Sequence, residues 1–183
     1  MKKAIFVPGN GGCRTVDGWF SYLNAEFTKI GINVVAEEFP DPMLARREYW
    51  IPFLEKLGAD PETILVGHSS GAIAPMRYAE NYAILGSILV AACHADLGIE
   101  SEKESGYFDD PWNWDAIKKN QKWIALFASI GDPCIAIEEA RYVRDKLQPT
   151  YFEFTDRGRF SIEKLPEAVK FVGSKLAEQG LCR

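Results

Sequence analysis

Ser69 lies in a five-residue pattern, Gly67-His-Ser-Ser-Gly71, whose residue types and spacing can present a serine hydroxyl as a nucleophile. Four residues rich in β-formers, Thr63 to Val66, precede the pattern, and apolar residues at helical spacing follow it. A strand, a sharp turn and a helix in this order form the setting of a G-x-S-x-G nucleophile elbow. The small residues let strand and helix approach closely, and the helix N-terminus favours developing negative charge. The alternative interpretation, a glycine-rich strand-to-helix turn with incidental serines, is disfavoured by this context.

A serine nucleophile also needs a base, a carboxylate that orients the base, and donors for an oxyanion. Predicted strands alternate with predicted helices, which indicates a parallel sheet whose ligands bind beyond the carboxyl ends of the strands. Asp132 follows the fifth predicted strand and is the candidate carboxylate, although an Asp before Pro is also an ordinary turn residue. The backbone N–H groups of Asn10 and Ser70 are candidate oxyanion donors, and Gly11 lies in the same loop as Asn10.

The base is the difficult part of this constellation, because the chain contains only two histidines. His68 belongs to the serine pattern itself and is interpreted as a structural or pocket-lining residue. His94 follows the fourth predicted strand and is the candidate base, with an ordinary loop histidine as the alternative. The residue that follows the sixth predicted strand is Arg159.

The periodicity of apolar residues predicts the elements that must position these groups. The predicted strands are residues 3–7, 32–36, 63–66, 85–91, 123–128 and 151–154. The predicted helices are residues 17–30, 44–57 with a break or kink before Pro52, a helix after the serine pattern, 115–120, 138–147 and 163–176. The long irregular stretch from His94 to Trp114 is interpreted as a lid or pocket wall. We therefore expect Ser69 to be exposed at the bottom of a pocket walled by Trp112 or Trp114.

The composition restricts the classes of function. A chain of 183 residues is expected to form a single domain over residues 1–183. The net charge of −5 argues against nucleic-acid binding, and no apolar run is long enough for a signal peptide or a bilayer span. Cys13, Cys93, Cys134 and Cys182 lack metal-ligand spacing, so no metal, no other cofactor and no disulfide framework is expected. Free thiols indicate a cytoplasmic protein.

Several motifs extend the pattern around Ser69 over nearly the whole chain. They are Val7-Pro-Gly-Asn-Gly-Gly12, Phe39-Pro-Asp-Pro42, Ala45-Arg46, Trp50-Ile-Pro-Phe53, Gly67-His-Ser-Ser-Gly-Ala-Ile-Ala74, Met76-Arg-Tyr-Ala-Glu80, Asp96-Leu-Gly98, Ser105-Gly-Tyr-Phe108 and Pro111-Trp-Asn-Trp114. With these motifs the chain resembles the retinoblastoma-binding protein 9 family of small serine hydrolases, also called YdeN-like. The resemblance implies an α/β-hydrolase core of three layers: a mostly parallel six-stranded sheet with helices on both faces and no large cap domain. It also implies hydrolysis of small esters or amides, with Ser69 as nucleophile and Asp132 as triad acid.

The chain departs from the family pattern at the triad histidine. The family has Gly-His-Phe after the last strand, where this chain has Gly158-Arg159-Phe160. Arginine stays protonated at physiological pH and is no general base, so a salt bridge between Arg159 and Asp132 is expected. A second departure concerns the L-x-C-x-E motif by which some relatives are thought to bind retinoblastoma protein. The corresponding residues here, Leu57-Gly-Ala-Asp-Pro61, lack the Cys and the Glu, so binding of retinoblastoma protein is not expected.

Three interpretations of Arg159 stay open at the level of sequence. The first is a small serine hydrolase with a replaced base, such as His94 in a shifted triad with Asp96 or Asp132. The second is a catalytically impaired pseudoenzyme that binds a small molecule. The third is a non-hydrolytic reaction in the same pocket, with Arg159 holding an anionic substrate. Loss of the triad histidine costs on the order of a millionfold in kcat in the serine-protease template, so strong esterase activity would require another base.

Overall fold

The sheet that carries the candidate residues consists of six parallel strands. The structure is a computed structural model, which describes residues 2–178 and 180 of the chain. Within these residues the strands are β1 (Lys3–Val7), β2 (Asn33–Val35), β3 (Thr63–His68), β4 (Gly86–Val90), β5 (Trp123–Ser129) and β6 (Thr150–Phe154). Their order across the sheet is β2-β1-β3-β4-β5-β6, and every neighbouring pair is parallel. The four inner strands are almost entirely buried, as expected for a parallel sheet covered on both faces.

Seven helices flank the sheet in the described part of the chain. They are α1 (Trp19–Lys29), α2 (Arg47–Lys56), α3 (Ser70–Ala79), α4 (Glu100–Glu104), α5 (Trp114–Lys119), α6 (Ile137–Leu147) and α7 (Pro166–Glu178). Helix α1 packs against α7, whereas α2, α3, α5 and α6 form a continuous row of contacts. These two groups cover the two faces and complete the three layers of an α/β-hydrolase core. No helix within residues 2–178 is long and apolar enough to cross a bilayer.

The predicted strands and long helices agree with the observed ones to within a few residues, with two corrections. Helix α2 continues through Pro52, so of the predicted break or kink the break is wrong. Pro52 is the sixth residue of the helix. The residue before the helix, Arg46, has an extended backbone conformation. The second correction is the stretch from His94 to Trp114, which is not wholly irregular because it contains the short helix α4.

The parallel arrangement brings the loops after β1, β3, β4, β5 and β6 to one edge of the sheet. The register pairs Val7 with Gly67, Gly67 with Leu89 and Leu89 with Leu126, so these four strands end at about the same level. Ligands of parallel sheets bind beyond this carboxyl edge. Every candidate site residue identified from the sequence follows one of these strands or lies in the segment after β4.

Candidate active site around Ser69

Ser69 occupies a strained turn between β3 and α3. Its backbone angles are φ 58° and ψ −125°, a left-handed conformation that non-glycine residues adopt rarely, at a cost of about 1–3 kcal/mol. The Ser69 amide donates to the carbonyl oxygen of Val90 at 2.9 Å, which fixes the turn against β4. Ser69 is only 5% exposed, so the expectation of an exposed serine is wrong. The reason lies in the side chain that covers it.

Arg159 covers Ser69 and joins it to Asp132. One terminal nitrogen of the guanidinium, Nη2, donates to Ser69 Oγ, and the other, Nη1, donates to Asp132 Oδ2 at 3.0 Å. The Arg159 side chain is 24% exposed, whereas that of Asp132 is 3% exposed. The ion pair expected between Arg159 and Asp132 is therefore present, and the same guanidinium lies between the carboxylate and the serine oxygen. This is the space that a base would need in order to take a proton from Ser69.

The second oxygen of Asp132 is held by the backbone of its own loop. Oδ1 accepts from the amide of Cys134 at 2.8 Å and from the amide of Ile135 at 3.1 Å. Asp132 thus makes the side-chain turn that an Asp before Pro commonly makes, and it also faces Arg159. Its orientation is fixed by the backbone and does not depend on Arg159, so Oδ2 remains available to any side chain at position 159.

His68 lies beneath this ion pair. Its ring Nε2 is 2.9 Å from the carbonyl oxygen of Arg159, so Nε2 carries a proton and donates to that oxygen. Burial, together with the nearby Arg159 charge, lowers the pKa of His68 to about 4. The imidazole is therefore neutral at physiological pH and supports the loop that carries Arg159.

His94, the candidate base, is engaged elsewhere. Its Nδ1 is 2.6 Å from Glu139 Oε2, and its backbone amide donates to the same oxygen at 3.1 Å. Its ring also stacks on Tyr142 with centroids 3.8 Å apart. No hydrogen bond within residues 2–178 joins His94 to Ser69, Asp96 or Asp132. A shift of His94 toward Ser69 would break both the Glu139 contact and the stacking.

The loop after β1 supplies one candidate oxyanion donor rather than two. The amide of Gly11 donates to the carbonyl oxygen of Met43 at 3.1 Å and is occupied. No acceptor contacts the Asn10 amide in the described residues. The Ser70 amide belongs to the first turn of α3, whose N–H groups have no acceptor within the helix. Asn10 and Ser70 therefore fit an oxyanion better than Gly11 does.

Glu102 is a site residue that the sequence interpretation missed. Its Oε1 accepts from Asn10 Nδ2 at 2.8 Å and from Ser70 Oγ at 2.9 Å, so one oxygen ties together the two residues with candidate donor amides. Glu102 is 7% exposed, and its other oxygen, Oε2, is buried without a hydrogen-bond partner in the described structure. The one available signal was an acidic residue in an aromatic-rich stretch, which by itself indicates only a solvated charge.

Trp112 and Trp114 anchor the segment after β4. Trp112 Nε1 donates to the carbonyl oxygen of His94 at 2.9 Å, and Trp112 stacks on Trp114. The guanidinium of Arg77 lies 3.7 Å from the centre of the Trp112 ring. Arg77 also donates to the carbonyl oxygens of Tyr107, Asp110 and Pro111 and pairs with Glu80. The two cavities beside the loop after β1 are lined by other residues, and Ser69 lines neither, so the wall expected from Trp112 or Trp114 stays a prediction.

Comparisons with known proteins identify the family of the chain. The sequence model of the family described as "Serine hydrolase" matches residues 4–167. The chain is 44% identical over 177 residues to Serine hydrolase RBBP9 of Rattus norvegicus, and the match covers 95% of each protein.

Two solved structures show the same fold. The product of the ydeN gene of B. subtilis superposes with a TM-score of 0.87 at 20% identity, covering 97% of this chain and 100% of the other. Est1E from Butyrivibrio proteoclasticus, solved with bound ferulic acid, superposes with a TM-score of 0.75 at 12% identity, covering 98% and 89%. Together with the identity to RBBP9, these findings show that the chain belongs to the family of RBBP9- and YdeN-like serine hydrolases, with an α/β-hydrolase fold.

Proposed function

We propose that this chain binds small esters or amides at Ser69 and hydrolyses them slowly, because Arg159 occupies the position of the triad histidine. The observation that carries the proposal is the guanidinium that donates to both Ser69 Oγ and Asp132 Oδ2. Nucleophile and carboxylate are both in place, and the residue between them cannot accept a proton.

The chemistry follows from the groups around the serine. Ser69 Oγ attacks the carbonyl carbon of the substrate, and the amides of Asn10 and Ser70 donate to the oxygen that becomes negative. Collapse of this intermediate breaks the bond to the alcohol or amine, which leaves with a proton from water, and a second water molecule then hydrolyses the acyl group from Ser69. Glu102 positions both donors through its Oε1 contacts. With no base in contact with Ser69, its proton passes to hydroxide or water. We therefore expect the residual rate to rise steadily with pH, without the plateau that a titrating histidine gives.

The contacts of His94 do not support the shifted triad. His94 binds Glu139 and stacks on Tyr142, and no described contact leads from it to Ser69. Replacement of His94 by Ala is therefore expected to leave any hydrolysis by Ser69 unchanged.

A second candidate function is favoured by the low exposure of Ser69. A serine that is 5% exposed and hydrogen-bonded to an arginine suits a pocket that binds a small molecule without turnover. The third interpretation, in which Arg159 holds an anionic substrate, has less support, because Asp132 already offsets the charge of Arg159. Measurement of turnover distinguishes the slow hydrolase from the binding protein.

The test of the proposal is the variant Arg159→His. Because Asp132 is held by its own backbone, a histidine at position 159 would find an oriented carboxylate, and a positioned general base contributes about a hundredfold or more. We expect hydrolysis of p-nitrophenyl acetate and labelling by a fluorophosphonate probe to rise by about this factor. The rate should gain a plateau at neutral to alkaline pH.

Two controls accompany this experiment. Arg159→Gln removes the guanidinium without supplying a base, and it should not reproduce the increase. Ser69→Ala in the Arg159→His background should abolish both labelling and turnover. Unchanged hydrolysis in a folded Arg159→His protein would contradict the hydrolase proposal and favour the binding protein.

The expected cellular setting stays a prediction. Cys13, Cys93 and Cys134 are free thiols, which suit the reducing cytoplasm expected from the sequence. Cys182 lies outside the described residues.

A further inference from the structure

A cavity of about 310 Å³ lies between the loop after β1 and the segment after β6. Its inner wall is apolar and aromatic, with Trp19 and Phe20 from α1 and Phe160 and Ile162 from the last loop. His68 and Cys13 complete the wall. Trp19, Phe20 and Phe160 are at most 5% exposed, so the floor of this open cavity is formed by side chains that are packed in the core.

This cavity is connected to Ser69 through neighbouring residues of the chain, although Ser69 itself does not line it. His68 directly precedes Ser69, Phe160 directly follows Arg159, and His68 Nε2 bonds to the carbonyl oxygen of Arg159 at 2.9 Å. Gly9 gives a second measure of proximity: a Cβ on Gly9 would lie 3.5 Å from Ser69 Cβ and 3.7 Å from Cys13 Sγ. Cys13 Sγ therefore lies near the turn that carries Ser69.

Two other cavities are larger than this one. One of about 520 Å³ is lined by Arg46, Arg47, Glu104 and Asp109, between α2 and the segment after β4. Another of about 340 Å³ touches Trp123 and Thr150, the first residues of β5 and β6, at the opposite edge of the sheet. The 340 Å³ cavity is at the edge opposite the ligand edge of a parallel sheet, and the charged lining of the 520 Å³ cavity does not suit an uncharged group, which favours the cavity at His68.

We infer that the cavity lined by Trp19, Phe20, His68, Phe160 and Ile162 binds the uncharged aryl or branched alkyl group of the substrate. The inference rests on the proposed function only in taking Ser69 as the reacting group. A volume near 310 Å³ is at the lower end of the range for ligand pockets and has room for a group of phenyl size or larger. The charged residues that line it, Arg14, Asp17 and Glu163, are all exposed at the rim, and two acids against one base give an anionic group no advantage.

Cys13 permits a test of binding that does not depend on catalysis. Cys13 and Cys134 are both exposed thiols, but only Cys13 lines this cavity. The wild-type protein is treated with iodoacetamide, with and without phenylacetone, a ketone that cannot be hydrolysed, and alkylation of each cysteine is followed by peptide mass spectrometry. We expect saturating phenylacetone to slow alkylation of Cys13 at least fivefold and to leave Cys134 unchanged. Acetone, which lacks the aryl group, should protect neither.

Cys13 also lines a smaller cavity of about 220 Å³. A variant in which the larger cavity is filled shows which of the two cavities binds phenylacetone. Ile162→Trp places an indole in the cavity and should abolish protection by phenylacetone. Ile51→Trp, at a similarly half-buried isoleucine of the 520 Å³ cavity, is the matched control and should retain it. Absence of protection in the wild type, or protection that survives in a folded Ile162→Trp protein, would overturn the inference.

Hydrolysis by Arg159→His separates this inference from the proposed function. Protection of Cys13 without hydrolysis in that variant supports the cavity and contradicts the hydrolase. Hydrolysis by that variant without protection of Cys13 supports the hydrolase and contradicts binding in the cavity.

Discussion

His68 makes the stability of this protein depend on pH, although it takes no part in the proposed reaction. Its pKa is about 4 in the folded chain, against 6.5 for an ordinary histidine, chiefly because burial disfavours the charged ring. Between these two values the unfolded chain binds a proton that the folded chain does not. The contribution of neutral His68 to the free energy of unfolding is therefore fully present above pH 6.5. It is lost as the pH drops toward 4, which lowers the free energy of unfolding by about 3 kcal/mol at most.

Urea unfolding at several pH values tests this prediction, with His68→Gln as the comparison. The Gln side chain can still donate an N–H toward the Arg159 carbonyl, but it does not titrate. We expect the loss of stability between pH 6.5 and 4 to be smaller in His68→Gln than in the wild type by up to about 3 kcal/mol. Parallel curves for the two proteins would show that His68 does not carry the effect.

Contacts between single residues were predictable in part. The Arg159–Asp132 ion pair was expected because the family pattern places Arg159 at the position of the triad histidine, and the structure has both residues after adjacent parallel strands. The partner of His94 was not expected, since Glu139 lies on α6 and nothing in the local pattern links the two. Glu102 was missed for the same reason: its contacts with Asn10 and Ser70 join segments far apart in sequence.

At the scale of elements, the turn between β3 and α3 depends on Gly71. A methyl group there would overlap the carbonyl oxygens of Val7 and Pro8, because α3 crosses directly over the end of β1. These are backbone atoms of a buried strand, which cannot move aside. We expect Gly71→Ala to lower the free energy of unfolding by about 1–3 kcal/mol or more, measured by urea denaturation, and to reduce any labelling of Ser69.

Gly173 offers the matched control within the same chain. It lies inside α7, and a methyl group there would meet no atom within 4 Å. Gly173→Ala should therefore raise stability by about 0.5–1 kcal/mol, since alanine is the better helix former. Equal effects of the two substitutions would contradict the close packing at Gly71.

The elements themselves were largely readable from sequence, because each long helix has one apolar face and each inner strand is continuously apolar. The exceptions have local causes. Proline at the sixth position of α2 predicted a break, yet the helix continues, with Trp50 and Leu54 on either side of Pro52 buried in the core. Packing of this buried face outweighed the lost hydrogen bond. Helix α4 has five residues, too few for any periodicity to be detected.

At the scale of the whole molecule, Arg77 attaches the long segment after β4 to the body of the fold. Its side chain is 1% exposed, pairs with Glu80 and donates to three carbonyl oxygens of that segment. Lysine keeps the charge but lacks the planar set of donors, so the contacts to this segment, including the one to the buried Tyr107 carbonyl, would be lost. We expect Arg77→Lys to lower the free energy of unfolding by about 3 kcal/mol and to increase proteolysis between His94 and Trp114.

Arg141→Lys is the control for this substitution. Arg141 also binds a carboxylate in two places, at Glu153, but on an exposed surface. Exposed ion pairs contribute about 1 kcal/mol or less, so this variant should unfold and be cleaved almost as the wild type is. Equal sensitivity of the two variants to protease would show that Arg77 does not hold the segment.

The two backbone hydrogen bonds to Asp132 Oδ1 have an evolutionary consequence. If Arg159 set the orientation of this carboxylate, the orientation would be lost when the arginine was replaced. Restoring a catalytic triad would then require several mutations at once. Here we expect Asp132 to keep its orientation whichever residue occupies position 159. The arginine codons CGT and CGC differ from those of histidine by one base, so under the proposed assignment a lineage can lose and regain turnover by point mutation.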